Sequence, residues 1–586
     1  MKEFFKMFFA ALLAGVVLTV LPFFMFMGMV SIVASLSEDE VAGVKDNSML
    51  VIDLSAPIMD CVVEDPMNAF ASLGYGVEEK EAVGLKDLTD AITRAAEDDR
   101  IKGIVLSGSG FGGGMAQMMA VEKALEEFKA SGKDIVSYAE YYSQGEYVLK
   151  SLSTRLFLNP NGGVDLKGLA TQMPFFKGFL EKYGIDVQIF RVGKFKSAVE
   201  PYMESKMSDA NREQNLRMLE SVWDTISTAI AENRGLSKAD VCVAASTRAG
   251  MFPQEALKAG LVDTLSYYEG YASYIKDTLG VKNKISIADY IAQPSTALET
   301  AKKKIAVIYA EGDIVDAPAA GSISTKSMRK DIEKVIKDTN VVAVVLRVNS
   351  PGGSALASDN IWHSLEELQK EKPVVVSMGN YAASGGYYIS CGTDYIFAEP
   401  TTLTGSIGVF GVIPNVSKLA SKHGITIDEV AIYPNSIDPS LLAPVSRGLA
   451  PLVQKGIENV YSQFLSRVAE GRKMTVEEVH EIAQGRVWSG SDAIEIGLVD
   501  EIGGLYDAIE KAAALAGVEE YRVTQTTATK KSIDAFMELL GGSKDDEIRA
   551  MVGDDAADMI NTMREIVDEN SPRVMARMPY GYRIDF

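Results

Sequence analysis

The chain of 586 residues contains two copies of one sequence pattern, and this repeat limits the possible folds more than any other feature. Gly103–Gly110 reads GIVLSGSG and Ala343–Ser350 reads AVVLRVNS, an offset of 240 residues. Near the end of each copy, Ala259–Asp263 (AGLVD) matches Ile496–Asp500 (IGLVD) at an offset of 237 residues. Because the motifs keep their order and spacing, they indicate a tandem duplication.

Within each copy, apolar strands alternate with helical segments. In the second copy, Val341–Val348 is a β-branched run typical of a strand that is buried on both faces. Ser358–Leu368 has helical spacing of its apolar residues, and Val374–Met378 reads as the next strand. The first strands of the two copies are Leu50–Leu54 and Ile305–Tyr309. This alternation predicts an α/β fold built from βαβ units in each copy.

The N-terminal segment precedes the repeat. Lys2 and Lys6 come before an uncharged stretch, residues 7–37, and an acidic cluster follows at residues 38–40. The stretch is long enough to cross a bilayer as a helix, and the order of charges favours a cytoplasmic N-terminus with an exported body. A cleaved signal peptide is the alternative, although its apolar region is usually only about 7–15 residues long.

These features divide the chain into five predicted segments. They are an N-terminal membrane anchor (residues 1–45), a first repeat (46–292), a linker (293–304), a second repeat (305–520) and a C-terminal extension (521–586). The first repeat carries an insertion at about residues 61–86 that its partner lacks.

Charge and cysteine content exclude some classes of function. The formal net charge is −22, from 58 basic and 80 acidic side chains, and such a surface repels a phosphate backbone. We therefore expect no nucleic-acid partner. The cysteines at positions 61, 242 and 391 are too widely spaced for a disulfide framework or a metal-ligand cluster.

Two glycine-rich turns follow neighbouring strands of the second repeat. Asn349–Ser354 (NSPGGS) comes directly after one strand, and Ala382–Gly386 (AASGG) comes after the next. Since ligands of α/β sheets bind beyond the carboxyl ends of the strands, both turns are predicted to lie at one site. Each turn, taken alone, is equally compatible with a purely structural tight turn.

Ser384 in the second turn is a candidate nucleophile. A serine at a strand-to-helix turn presents its hydroxyl at a helix N-terminus, where free N–H groups favour negative charge. The N–H of Gly385, with one from Gly352 or Gly353, could form an oxyanion hole there. Opposite this turn the first repeat has Tyr142–Gly145 (YSQG), without the small residues around its serine. This asymmetry favours one working nucleophile, in the second repeat.

The positions of the histidines and lysines favour a lysine, rather than a histidine, as the base for such a serine. The three histidines, His363, His423 and His480, each have an ordinary structural or surface explanation. A lysine acts as a base when burial lowers its pKa. Lys194 and Lys196 both stand in a largely apolar segment, and spacing alone does not choose between them or exclude that both are solvated.

At this point the motifs resemble the long, duplicated form of the signal peptide peptidase A family, also called the protease IV family. The similarity covers about residues 46–515 and the N-terminal anchor. Its motifs are KSAVEP at 196–201, NSPGGS at 349–354, AASGGY at 382–387 and LTGSIG at 403–408.

The resemblance implies a role for each site residue and a ClpP/crotonase-like α/β fold, present twice in the chain. The implied roles are Ser384 as nucleophile, Lys196 as general base, Ser406 as the residue that orients the lysine, and Gly385 with Gly353 or Gly352 as oxyanion donors. Because the base lies in the first repeat and the nucleophile in the second, the repeats of one chain or of adjacent chains must meet at the site.

The resemblance also implies partners and a location. The expected protein is a single-pass homotetramer of the bacterial inner membrane, with its catalytic body on the periplasmic side. It would degrade signal peptides and other hydrophobic peptides, without a metal or organic cofactor. The alternatives are a crotonase-like acyl-CoA hydratase or isomerase, and a catalytically silent membrane scaffold.

Overall fold

The computed structural model describes residues 43–62, 82–293, 301–319, 321–433, 436–437, 439–526 and 575–577. The predicted membrane helix lies outside these residues, as do most of the insertion and the linker. In the part of the chain that is described, none of the helices combines the length and apolar character needed to cross a bilayer.

The first repeat is built on a parallel sheet with the strand order β8-β6-β5-β4-β1-β9, while β2 and β3 form a separate pair. Its strands are β1 (Ser48–Asp53), β2 (Ile58–Met59), β3 (Val83–Gly84), β4 (Ile101–Ser107), β5 (Asp134–Tyr142), β6 (Arg155–Val164), β7 (Asp186–Val192), β8 (Thr264–Leu265) and β9 (Asn283–Ser286). Its α-helices are Leu85–Glu97, Met115–Ala130, Gln144–Lys150, Lys177–Tyr183, Glu200–Met203, Asp209–Arg234, Lys238–Thr247, Pro253–Lys258, Tyr268–Ser273 and Ile287–Ile291.

The second repeat is built on a sheet with the order β19-β17-β15-β13-β10-β21, in which β16 pairs with β15 and with β20. Its strands are β10 (Lys304–Glu311), β11 (Ile314–Val315), β12 (Ile323–Ser324), β13 (Val341–Ser350), β14 (Gly352–Ser354), β15 (Val374–Ala383), β16 (Tyr395–Ala398), β17 (Leu403–Gly405), β18 (Val409–Asn415), β19 (Val487–Ser489), β20 (Glu501–Ile502) and β21 (Arg522–Thr526). Its α-helices are Thr325–Lys337, Ala355–Gln369, Gly385–Ser390, Ser417–Lys422, Leu449–Arg472, Val476–Ile482, Gly490–Glu495 and Leu505–Leu515.

The central strands contain long apolar runs because helices cover both faces of the sheet. On β10, Ile305 and Val307 pack into one hydrophobic cluster, whereas Ala306 and Ile308 pack into a larger cluster on the other face. Successive side chains of a strand point to opposite faces, so burial on both sides requires an unbroken apolar run.

The two sheets have the same topology. The order β9-β1-β4-β5-β6-β8 in the first repeat corresponds to β21-β10-β13-β15-β16-β20 in the second. The predicted duplication of an α/β unit is therefore confirmed. The second sheet continues through β21 to Thr526, within the segment that we predicted as a C-terminal extension.

The aspartates that end the two GLVD motifs make equivalent contacts in the two repeats. Asp263 accepts a hydrogen bond of 2.6 Å from Arg234, the last residue of a long helix, and another from a backbone N–H of β6. Asp500 accepts a 2.6 Å bond from Arg472, at the end of the equivalent helix, and another from a backbone N–H of β16. Each aspartate thus ties the end of a helix to the sheet.

A third, mixed sheet joins the repeats, with the strand order β12-β11-β14-β22-β18-β7, where β22 is Met575–Arg577. In this sheet β7 of the first repeat runs antiparallel to β18 of the second, from the pair Val192–Val409 to the pair Asp186–Asn415. The chain reaches Lys196 shortly after β7, so this pairing carries the lysine to the second repeat.

A buried ion pair also connects the repeats. Asp60 and Arg347, each 1% exposed, lie 2.9 Å apart, and Asp60 accepts a second bond of 3.0 Å from Asn349. The same guanidinium donates to the carbonyl oxygen of Met378 at 3.0 Å, while the Asn349 side chain accepts from the N–H of Tyr381 at 3.2 Å. These bonds fix the ends of β13 and β15 against the first repeat, just before the two glycine-rich turns.

Candidate active site

Ser384 lies at the turn between β15 and the helix Gly385–Ser390, as the sequence predicted, and its side chain is fully buried. Its backbone has φ 55° and ψ −113°, a conformation that costs a residue with a side chain about 1–3 kcal/mol. The Ser384 N–H donates to the carbonyl oxygen of Gly405 at 2.8 Å. The neighbouring strand β17 therefore holds the strained turn in place.

Lys196 meets this serine from the other repeat of the same chain. Its Nζ lies 2.9 Å from Ser384 Oγ, 2.9 Å from Ser406 Oγ and 3.0 Å from the Ser406 carbonyl oxygen. The resemblance required that either the two repeats of one chain or those of adjacent chains meet at the site. In the structure, the two repeats of one chain meet there. Lys196, Ser384 and Ser406 therefore form one hydrogen-bonded group.

The surroundings of Lys196 favour the uncharged amine. The side chain is fully buried, and burial alone lowers its pKa well below the ordinary value. Its hydrogen-bond partners in the described residues are hydroxyl and carbonyl oxygens, and the Phe410 ring lies 6.0 Å from Nζ. A neutral amine in this position has a lone pair with which to accept the hydroxyl proton of Ser384.

Three residues to which the sequence analysis gave no role shape the lysine pocket, and one of them, Gly408, is the last residue of the LTGSIG motif. A Cβ on Gly485, whose φ is +80°, would lie 2.6 Å from the Lys196 Cβ, and one on Gly408 would lie 3.2 Å from its Cδ. Gln214 donates from Nε2 to the carbonyl oxygen of Phe195 at 3.0 Å and holds the segment that carries the lysine. They are distant in sequence from Lys196, so no local pattern links them to it.

The other candidate bases lie elsewhere. Lys194 is exposed, with its Nζ 4.9 Å from the centre of the Phe195 ring. His363 and His423 are exposed, and the ring of His480 bonds the Tyr461 hydroxyl at 3.0 Å.

The two glycines of the first turn have different surroundings. The N–H of Gly352 donates to Ser350 Oγ at 3.2 Å, so it already has a partner within the turn. Gly353 has φ +156°, and a Cβ there would lie 1.9 Å from the carbonyl oxygen of Ile314. Only glycine fits that position, and the strand β14 that contains it packs against the helix that Gly385 begins.

Comparison with known proteins shows the same duplication. Residues 127–282 and 366–519 each match the model of Peptidase family S49. "Protease 4" of Salmonella typhi is 36% identical over 520 residues, which cover 86% of this chain and 83% of that protein. "Serine protease SPPA, chloroplastic" of Arabidopsis thaliana is 30% identical over 505 residues, which cover 83% of this chain and 72% of that protein.

Among solved structures, a ClpP1 mutant from Listeria monocytogenes matches with a TM-score of 0.24 and 16% identity, over 35% of this chain and 94% of that chain. This similarity is too low to bear on the fold.

The sequence matches define the class of protein as a serine peptidase. The chain belongs to peptidase family S49, whose model matches it once in each repeat. The resemblance drawn from the motifs is thereby confirmed.

Proposed function

We propose that this protein hydrolyses peptide bonds through an acyl-enzyme, with Ser384 as nucleophile and Lys196 as general base. The observation that carries the proposal is the 2.9 Å contact between Lys196 Nζ and Ser384 Oγ, made by a fully buried lysine. A nucleophile within hydrogen-bond reach of a base that a third group orients is the arrangement that covalent catalysis requires. Ser406 is the orienting group in this proposal.

The proposed reaction has two halves. Neutral Lys196 takes the hydroxyl proton as Ser384 attacks the scissile carbonyl carbon, and the protonated amine then gives that proton to the leaving nitrogen. A water molecule, deprotonated by Lys196, attacks the acyl carbon, and its proton returns to Ser384 as the ester breaks. The N–H groups of Gly385 and Gly353 would bind the oxyanion, each donor contributing about 100- to 1,000-fold to the rate.

We propose Gly353 as the second oxyanion donor, with Gly352 as the alternative. The supporting observation is that the Gly352 N–H already bonds Ser350 Oγ. A donor that is engaged in the ground state would have to break that bond before it could bind the developing charge.

The proposed substrates are hydrophobic peptides, including cleaved signal peptides. We further propose that residues 7–37 anchor the protein in the bacterial inner membrane as one helix, with the catalytic body on the periplasmic side. The proposed assembly is a homotetramer. These proposals rest on the N-terminal sequence and on the family to which the chain belongs.

The test compares the wild-type protein with Ser384→Ala, Lys196→Ala and the matched control Lys194→Ala, using casein hydrolysis and labelling by a fluorophosphonate probe. We expect the first two variants to lose hydrolysis and labelling, and the control to keep both. If the wild-type protein neither reacts with the probe nor hydrolyses casein, the proposed function is wrong. The acyl-CoA hydratase or isomerase and the silent scaffold would then be the remaining functions. Loss of activity in Lys194→Ala with full activity in Lys196→Ala would overturn the choice of base.

The pH dependence follows from the direction of the Lys196 pKa shift. Burial lowers this pKa, so the neutral, reactive amine is populated at a lower pH than for an ordinary lysine. The value of kcat/KM is therefore expected to rise with pH and to level off below pH ~10.4, the usual lysine pKa. A rise that is centred at the usual lysine pKa would contradict the proposal.

A further inference from the structure

The segment that carries Lys196 is held by a short stretch of the second repeat, directly before β19. The N–H of Phe195 donates to the carbonyl oxygen of Gln484 at 2.9 Å. The N–H of Ser406 donates to the carbonyl oxygen of Arg486 at 2.7 Å. The backbone of residues 484–486 therefore contacts both the lysine segment and the serine that bonds the lysine amine.

The side chain of Arg486 makes a second connection between these parts. Its guanidinium carbon lies 4.8 Å from the centre of the Phe195 ring and 4.4 Å from the centre of the Trp488 ring. A guanidinium at such a distance is attracted to an aromatic ring, and its planar shape allows it to stack there. Arg486 thus links the residue next to Lys196 to strand β19, which contains Trp488.

Stacking explains the position of this arginine better than its polar contacts do. Its Nη1 lies 3.0 Å from Glu213 Oε1, but the Glu213 side chain is 52% exposed, and exposed ion pairs contribute little to stability. Its Nε is buried and has no hydrogen-bond partner in the described part of the chain. A buried donor without a partner is unfavourable, so the rings must hold the side chain where it is.

The arginine forms the outer layer of one wall of the lysine pocket. Lys196 is fully buried and Phe195 is 8% exposed, whereas the Arg486 side chain is 19% exposed. The order from inside to outside is therefore the amine, the aromatic ring and the guanidinium. Removal of the outer layer would expose the Phe195 ring to solvent.

Access of water determines the chemistry of the buried amine. Burial alone lowers the pKa of Lys196, because the charged form loses its hydration. The charged side chains that the surrounding segments carry do not contribute to this shift; in the described residues they are Arg191, Lys194, Glu200, Glu213 and Arg486. A residue that keeps water out of this pocket therefore keeps the amine neutral.

We propose that Arg486 is a positioning residue for the reaction: packed against Phe195 and Trp488, it holds the lysine segment to the second repeat and closes the lysine pocket to water. The inference rests on the proposed peptidase function and adds to it a residue that acts through Lys196. The stack requires a planar cation, so a lysine does not replace this arginine.

The first experiment measures kcat and kcat/KM of Arg486→Gln on a short peptide substrate over a range of pH. We expect kcat to fall about tenfold or more, because a displaced base reacts more slowly. KM should change less than about twofold, because the base acts in the chemical step. The rise of kcat/KM with pH should move toward ~10.4, the usual lysine pKa, because water that reaches the amine stabilises its charged form.

The matched control is Arg94→Gln in the first repeat. The Arg94 guanidinium lies 5.1 Å from the centre of the Tyr290 ring, and its Nε is likewise buried without a partner among the described residues. This variant loses a similar stack away from the lysine, so kcat, KM and the pH profile should stay as in the wild type. An Arg486→Gln protein that matches this control would overturn the inference.

Two further variants separate the stack from the charge. Arg486→Lys keeps a cation beside Glu213 but lacks the planar guanidinium, and it should behave like Arg486→Gln. Glu213→Gln removes the ion pair and leaves the stack, so kcat should change less than about twofold. Full activity in Arg486→Lys would show that a cation is sufficient and would overturn the role of the stack.

A double variant tests the route from Arg486 to the lysine. Phe195→Leu removes the ring that lies between them, and by itself it should lower kcat as Arg486→Gln does. If Arg486 acts through this ring, Arg486→Gln should have little further effect in the Phe195→Leu protein. Losses that multiply in the double variant would mean that Arg486 acts by another route and would contradict the inference.

The last experiment does not depend on activity. Backbone amide hydrogen exchange is measured by mass spectrometry on the full chain that carries Ser384→Ala. Addition of Arg486→Gln should speed exchange about tenfold or more in peptides that cover residues 193–197, while addition of Arg94→Gln should not. Faster exchange along the whole chain would show a general loss of stability and overturn the local role of Arg486.

The two readouts separate this inference from the proposed function. Ser384-dependent turnover by the wild type, with unchanged exchange at 193–197 and an unchanged pH profile in Arg486→Gln, would overturn the inference and leave the peptidase intact. Faster exchange at 193–197, in a protein whose wild type shows no Ser384-dependent turnover, would overturn the proposed function instead.

Discussion

The two repeats present a serine at the same place in the fold, yet among the described residues only the second serine lies beside a lysine that has no carboxylate partner. Ser143 begins the helix Gln144–Lys150 after β5, as Ser384 begins a helix after β15. Ser143 has relaxed extended backbone angles, φ −71° and ψ 154°, and its hydroxyl donates to Glu146 at 3.0 Å. The other carboxylate oxygen of Glu146 pairs with Lys150 at 2.6 Å.

The difference shows what turns a buried lysine into a candidate base. Lys150 and Lys196 are both fully buried, and desolvation lowers the pKa of each. For Lys150 the adjacent Glu146 carboxylate raises the pKa and opposes desolvation, whereas in the described part of the chain no carboxylate does so at Lys196. An ion pair keeps the first lysine charged and structural, and the lack of one leaves the second free to accept a proton.

The largest expected effect is the loss of kcat when alanine replaces the serine of the second repeat but not that of the first. Ser384→Ala should lower kcat by about 10⁴-fold or more, as for a catalytic group that acts in a unit with its base. Ser143→Ala should change kcat less than twofold, because the hydroxyl only donates to the Glu146 carboxylate. Initial rates on one peptide substrate measure both, and a loss of more than tenfold in Ser143→Ala would show that the first site takes part in the reaction.

The next effect concerns the ion pair of the first repeat. Glu146→Gln leaves Lys150 buried without a carboxylate, which should lower the free energy of unfolding by about 3–5 kcal/mol. Chemical denaturation measures the change. The double variant Glu146→Gln with Lys150→Met removes both charges and should recover most of the loss. If the single variant is as stable as the wild type, the pair does not hold this repeat together.

A smaller effect sharpens the role of Ser406. Ser406→Ala removes one of the three bonds to Lys196 Nζ, while the backbone carbonyl bond at 3.0 Å remains. The loss of one neutral hydrogen bond of about 0.5–1.5 kcal/mol corresponds to roughly a tenfold fall in kcat or less. Ser358→Ala, in which another buried serine loses its hydroxyl bond, here to a backbone carbonyl oxygen, is the control and should keep full kcat. Equal rates in the two variants would remove Ser406 from the mechanism.

The smallest effect is a change in the free energy of unfolding, whose sign shows whether Lys196 is charged in the folded protein. Below its unfolded pKa of ~10.4, a lysine is protonated in the unfolded chain. If its pKa is lower in the folded protein, the lysine reduces the free energy of unfolding in that pH range. Lys196→Met should therefore be more stable than the wild type at neutral pH, and the gap should close as pH rises toward that value. Thermal unfolding at a series of pH values measures the gap, and a gap of opposite sign would mean that Lys196 is charged in the folded protein.

Much of the fold was predictable because it follows from local patterns. The β-branched run at 341–348 predicted a strand, and it lies within β13, whose residues are covered by helices on both faces. The serine turn was predictable because glycines directly follow a strand. The continuation of the second sheet to Thr526 was not, since β21 is short and polar and is defined by its pairing with β10.

The candidate site was predictable only in part. The sequence pattern alone left Lys194 and Lys196 open, and the family motif KSAVEP favoured the second. In the structure these lysines, two residues apart, have opposite environments, one exposed and one fully buried. Gly485 and Gln214, which also shape the lysine pocket, lie in none of the motifs, because they act through contacts with residues far away in the chain.

The sequence by itself determined that the chain is a duplicated α/β protein with one serine turn suited to nucleophilic chemistry, because periodicity and turn composition are local properties. The tertiary structure decided which lysine is buried against that serine, that the repeats are joined through Asp60 and Arg347, and that a strand from the tail lies beside the site. Burial, and with it the pKa of an amine, depends on segments that are remote in sequence and meet only in the folded chain.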